Sequence, residues 1–114
     1  MPASDDRPKI RFSTLTNEAA FAFYYALAVV QPQKWERAFL GMRAKSEAEA
    51  RRAGKHVMTS TEYKSALKKG LEELAAYEII DVAKDGMGEF MPVQVHGDRV
   101  ENDSGGYVIA GEGF

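Results

Sequence analysis

Three stretches of this chain repeat apolar side chains at helical spacing, and two short stretches after them carry the β-branched residues of strands. The first, NEAAFAFYYALAVV (residues 17–30), spreads Phe21, Phe23, Tyr24, Tyr25, Leu27 and Val30 around its whole circumference, with alanines between them. A helix that is apolar on every side belongs in the middle of a fold. Thr16 or Asn17 can cap it, because either side chain offers an oxygen to the orphan backbone N–H groups of the first turn. Gln31-Pro32 ends it: proline pushes the residue before it out of helical geometry, yet is itself welcome in a first helical turn.

A second helix is therefore expected to begin near Pro32, with Trp35, Ala38, Phe39 and Met42 as one apolar stripe and Lys34, Glu36, Arg37 and Lys45 facing outward. Two readings of its end stay open. Ser46 stands three residues before Glu49, the spacing of a capping box, which would start a separate short helix at Glu47 that ends at Gly54. The other reading is one continuous helix over residues 33–53. Thr59 and Glu62 make a second capping box, and the helix they open carries Tyr63, Ala66, Leu67, Gly70, Leu71 and Leu74 along one arc. Glycine inside a helix costs roughly 1 kcal/mol relative to alanine, so Gly70 on that buried arc implies close approach by another helix.

Ala76 to Glu78 turn the chain. Residues 79–83 (IIDVA) and 89–95 (EFMPVQV) then read as a hairpin around the Asp85-Gly86 turn, with Met91, Val93 and Val95 on one face. Pro92 cannot donate to a ladder, so the returning strand is expected at an edge or irregular there. Residues 10–14 form a short strand or a lead-in, residues 96–98 a turn, and residues 107–110 (YVIA) a last short strand. The expected fold class is α+β, mainly helical over its first two-thirds and followed by a β-hairpin wing. It comprises a loose arm over residues 1–9 and one domain over residues 10–114.

Helix, helix, capped amphipathic helix, strand, glycine turn, strand is the element order of the winged helix-turn-helix. Over about residues 47–95, the segments EAEARRAG, STEYKSALKKGLEEL and EIIDVAKDGMGEF resemble that superfamily as it occurs in transcription regulators and in plasmid or phage replication proteins. The stretch KHVMT is longer than the family's usual tight turn, and Ala76-Tyr77 stand where the family usually places a glycine. The resemblance implies a recognition helix beginning at Ser60 and a two-strand wing beside it.

Charge sharpens this expectation. The net formal charge of −2 argues by itself against nucleic acid as a partner, but it is a sum of unlike parts. Residues 1–33 are neutral, residues 34–69 carry ten Lys/Arg against four Glu, and residues 70–114 carry two Lys/Arg against ten Asp/Glu. The middle is thus +6 and the end −8. Such a molecule can attract a polyanion through one segment and orient it with the other. Thr61, Lys64, Ser65, Lys68 and Lys69 lie on the outward face of the third helix, where hydroxyls and long cations suit phosphate positioning and base-edge contact in the major groove. Arg51, Arg52 and Lys55 suit flanking phosphates. The wing opposes them with Asp81, Asp85 and Glu89, so the helix would carry most of any contact with double-stranded DNA.

Enzymatic chemistry finds little support. There is no cysteine and there are only two histidines, His56 and His96, so neither a thiol nucleophile nor a thiolate metal site exists. Glu72 and Glu73 are adjacent and point in different directions on a helix, and the Gly86-Met87-Gly88 turn lacks the third glycine and the following helix of a phosphate-binding loop. No cofactor or metal is expected. The leading expectation is a non-catalytic, regulatory or plasmid/phage-maintenance protein of the cytoplasm that binds double-stranded DNA, as a homodimer if part of its aromatic set is exposed. The alternative is a protein-binding adaptor or inhibitor on the same scaffold, gripping its partner through the acidic half: Asp98, Glu101, Asp103 and residues 111–114. No stretch reaches the roughly twenty apolar residues of a membrane span.

Overall fold

In the computed structural model, which describes residues 9–87 and 89–102, the cap of the first helix is shared between two helices. The helix α1 (Asn17–Val30) is preceded by Thr16, whose Oγ1 accepts from the Ala19 N–H at 3.1 Å. The same hydroxyl donates to Glu73 Oε1 at 2.7 Å, and the Thr16 N–H donates to Glu73 Oε2 at 3.1 Å. Glu73 lies on α3 (Ser60–Ala76), so one carboxylate fixes where α1 starts relative to its neighbour.

α1 is the centre of the fold, as its all-round apolar surface predicts. Ala19, Ala22, Phe23, Ala26, Leu27 and Ala28 are buried, and α1 packs against α2 (Pro32–Arg52), against α3 and against the hairpin. Gly70 is where α3 meets it: a Cβ there would lie 2.6 Å from the Ala22 Cβ and would overlap the Glu18 carbonyl. Pro32 opens α2 after the single residue Gln31. α2 runs unbroken to Arg52, which settles the two readings in favour of one helix; Ser46 and Glu49 cap nothing. Its stripe is only partly buried, because Phe39 is covered and Trp35 half-covered while Ala38 and Met42 are exposed.

Both long helices that follow α1 end in Schellman turns. Gly54 (φ 68°) ends α2, with the Lys55 N–H bonded to Ala50 O at 2.8 Å and the Gly54 N–H to Arg51 O at 3.1 Å. On α3 the equivalent left-handed position is Glu78 (φ 61°), with Ile79 N–H to Leu74 O and Glu78 N–H to Ala75 O, both at 2.9 Å. Ile79 and Leu74, the two residues that the motif brings together, are both fully buried. The buried Arg99 donates from Nη2 to the Tyr77 carbonyl at 2.7 Å, a cation on the negative end of α3.

The hairpin pairs β2 (Ile80–Lys84) with β3 (Phe90–Val95), antiparallel. Its register corrects the expectation that Met91, Val93 and Val95 share one face. Ile80 pairs with Val95 and Asp81 with Gln94, but Val82 pairs with Pro92, so Val93 is the extra residue of a bulge. The inner face is Phe90, Pro92 and Val95; Met91 and Val93 point to solvent. The irregularity falls next to the proline that forbids a regular ladder. Asp85 Oδ1 closes the turn by accepting from the Met87 and Glu89 N–H groups at 2.8 and 3.0 Å. A short 3₁₀ turn, Gly97–Arg99, replaces the simple turn expected over residues 96–98, and leads into β4 (Val100–Glu101). β4 pairs in parallel with β1 (Ile10–Arg11), a partnership that the sequence did not suggest. The strand expected over residues 107–110 and most of the arm over residues 1–9 lie outside the described residues.

The architecture is α+β, with three helices and a small antiparallel pair. Unlike the paired helices of a helix-turn-helix, the backbones of α2 and α3 stay apart: they meet through side chains such as Arg43 on the Tyr63 ring, and each packs closely on α1. Among the described residues no helix is long and apolar enough to cross a membrane.

Candidate nucleic-acid interface

α3 is held by its inner arc, with Leu67, Gly70, Leu71 and Leu74 buried, and this aims its opposite side at solvent. Thr61, Lys64, Ser65, Lys68 and Lys69 are all exposed, as are Arg51, Arg52 and Lys55. Arg51 is engaged with Glu47 at 3.7 Å, and Arg43 meets the other oxygen of the same carboxylate at 3.2 Å. Among the described residues Lys55, Lys64, Lys68, Lys69 and Arg52 enter no ion pair, so their charges are available to a partner.

The structure brings these residues together in two sets. Thr61, Lys64, Ser65 and Lys68 share one strip of α3, with Lys69 beside it and the acidic Glu72 continuing it. Arg51 and Arg52 end α2, whose Arg43, Ser46, Glu47 and Ala50 form one wall of a cleft of about 490 Å³ that Tyr63, Ala66 and Leu67 line on the α3 side. Lys55 stays near the start of α3, since its neighbour His56 contacts Glu62 Oε1 through Nε2 at 2.7 Å.

Glu62 completes the predicted capping box and does more. The Thr59 N–H donates to its Oε1 at 2.9 Å while Thr59 Oγ1 accepts from the Glu62 N–H at 3.2 Å. The backbone bond from Thr59, then the His56 ring, hold the carboxyl down at about 2, well below its ordinary value of 4.5. A negative charge thus sits at the first turn of α3, where it complements the positive end of the helix dipole.

Sequence reasoning missed the cleft. Arg43 lies 3.8 Å from the centre of the Tyr63 ring, and Phe21 meets that ring edge-on at 5.9 Å. This aromatic floor joins residues far apart in the chain, and no local spacing signals it. Burial pushes the Tyr63 hydroxyl up, partly offset by Arg43, so it stays protonated through neutral pH. Its oxygen is buried and makes no hydrogen bond among the described residues, a state that costs about 1–3 kcal/mol where nothing fills it.

The hairpin is acidic at its surface. Asp81, Asp85 and Glu89 are exposed; Asp81 faces His96 at 3.1 Å, and Lys84 lies over the Phe90 ring at 5.6 Å. Asp98 is exposed and Glu101 half-buried, while Asp103 and residues 111–114 lie outside the described residues. Among the described residues no group of three His, Asp or Glu is placed to hold a metal ion. Comparison with protein-family models, with curated proteins and with solved structures finds no match.

Proposed function

We propose that this protein binds double-stranded DNA without catalysis, in a regulatory or plasmid/phage-maintenance role and in the manner of a winged helix. The observation that carries the reading is the outer strip of α3: Thr61, Lys64, Ser65, Lys68 and Lys69 are exposed together on a helix anchored from behind, with three lysines that enter no ion pair among the described residues. A rigid helix presenting cations and hydroxyls suits the major groove, where phosphate contacts position and the hydroxyls reach base edges. Lys55 and Arg52 are available for flanking phosphates.

Fluorescence anisotropy with random duplex DNA at about 50 and 200 mM salt tests it, since five phosphate contacts predict about a 10²–10³-fold loss between the two. Replacing Lys64 and Lys68 together with alanine is expected to weaken binding and flatten the logarithmic salt slope by about 2. Unchanged affinity and slope in that variant would sink the assignment of α3.

The acidic hairpin favours a second reading, in which the protein is an adaptor or inhibitor that grips a basic protein. Asp81, Asp85 and Glu89 put carboxylates where a DNA-touching wing would carry lysine or arginine. Undetectable DNA binding at about 50 mM salt would transfer the argument to that reading.

A further inference from the structure

We propose that the outward face of the β2–β3 hairpin docks on the α3 lysine strip of a second copy of this chain. The register fixes what that face carries. Asp81 and Ala83 on β2 stand opposite Gln94 and Met91 on β3, and all four are exposed. Asp85 and Glu89 continue the same face to the turn, where the Asp85 N–H bonds to Glu89 O at 3.0 Å. Three carboxylates thus flank Met91 and Ala83, while Lys84, the one cation of the hairpin, lies over the Phe90 ring instead.

Neither patch is neutralised within its own molecule. Among the described residues Lys64, Lys68 and Lys69 enter no ion pair, nor do Asp85 and Glu89, and Asp81 meets only His96. Folding therefore does not cancel these charges against each other. The spacings of the two patches are alike. Lys64 and Lys68 stand one turn apart, about 6 Å along α3. Asp85 and Glu89, opposed across the hairpin, have backbones about 5 Å apart. Thr61 and Ser65, short side chains beside those lysines, leave room for Met91. A second copy is the partner that this chemistry identifies, because one chain carries both halves of the contact and each is the charge complement of the other. Exposed ion pairs are individually weak, so the association is weak and falls with salt. The contact uses lysines that DNA would need, and no DNA enters the test below, so either can fail without the other.

Sedimentation velocity of the full chain over a range of protein concentrations tests it. At about 20 mM salt the weight-average mass is expected to rise with concentration above that of a single chain, and at about 500 mM salt, where charges are screened within about 4 Å, to return to it. Lys64→Glu with Lys68→Glu makes the strip acidic, and Asp81→Lys with Glu89→Lys makes the hairpin face basic. Asp85 is left in place because it closes the turn. Each double variant is expected to stay a single chain at low salt. An equimolar mixture of the two is expected to associate again, since each then offers the complement of the other's altered patch, and that recovery also shows both variants to be folded. The proposal is overturned if the unaltered chain shows no rise in mass at low salt, which would pass the hairpin face to a different, basic protein. It is equally overturned if either variant associates as the unaltered chain does, or if two variants with unaltered circular dichroism do not associate when mixed.

Discussion

A single hydrogen atom at Gly70 sets how closely α3 approaches α1. With a Cβ 2.6 Å from that of Ala22 and overlapping the Glu18 carbonyl, Gly70→Ala must push backbone away and not merely a flexible side chain. Urea unfolding is expected to show a loss of about 1–3 kcal/mol, although alanine is the better helix former. Glu78 presents the opposite case. It holds φ at 61°, and relief of roughly 1–2 kcal/mol of left-handed strain exceeds the roughly 0.4–1 kcal/mol that glycine's freedom costs in the unfolded chain. Glu78→Gly is therefore expected to raise stability, by about 0.5–1 kcal/mol. Glu62 makes a prediction in pH. Its folded value of about 2 lies below the ordinary 4.5, so the unfolded chain binds the proton first. Its contribution is complete above 4.5 and is lost as pH falls toward 2. Glu62→Gln should be less stable at neutral pH and show a flatter decline over that window, which urea midpoints at a series of pH values would record.

Among the elements, α1 and α3 were legible because local rules define them: an all-round apolar run, a capping box, and a glycine whose cost demands a neighbour. The rest depends on partners distant in sequence. Ser46 and Glu49 satisfy a capping rule, yet the helix runs through them, since nothing near Ser46 breaks it as Pro32 breaks the helix before. Strict alternation put Val93 on one face with Val95, and the bulge beside Pro92 separated them. The pairing of Ile10 with Val100 has no signal in either two-residue strand. Of the candidate interface, exposure of all eight residues followed from the amphipathic pattern, but the cleft between α2 and α3 did not. α2 is the least supported helix. Phe39 is its only buried residue, and its second half is covered only in part, at Glu47, Ala48 and Ala50. Helical turns without tertiary packing are marginal in water, so amides over residues 44–52 are expected to exchange with solvent much faster than those of α1. Equal protection in both would show that the second half of α2 is packed in solution.

Over the whole molecule, the +6 middle and the −8 end of the chain make opposite demands on a partner. If DNA binds the α3 strip as proposed, the acidic hairpin is a repulsive neighbour that limits how the duplex can lie. Converting Glu89 to lysine removes one such charge and adds an opposite one. The expected result is tighter DNA binding at about 50 mM salt, with a salt slope steeper by up to about 1. If that variant bound DNA no better but lost a basic protein partner, the acidic face would be the working one.

The central position of α1 also has a cost during synthesis. Its apolar circumference is covered by α2, α3 and β3, all of which follow it in the chain. At about 5–20 residues per second, the roughly seventy residues from Val30 to the β4 strand take about 4–14 s to synthesise. For that time the nascent chain carries Phe21, Phe23, Tyr24, Tyr25 and Leu27 without their final neighbours. This helix is the segment of the newborn protein with the greatest need of a chaperone.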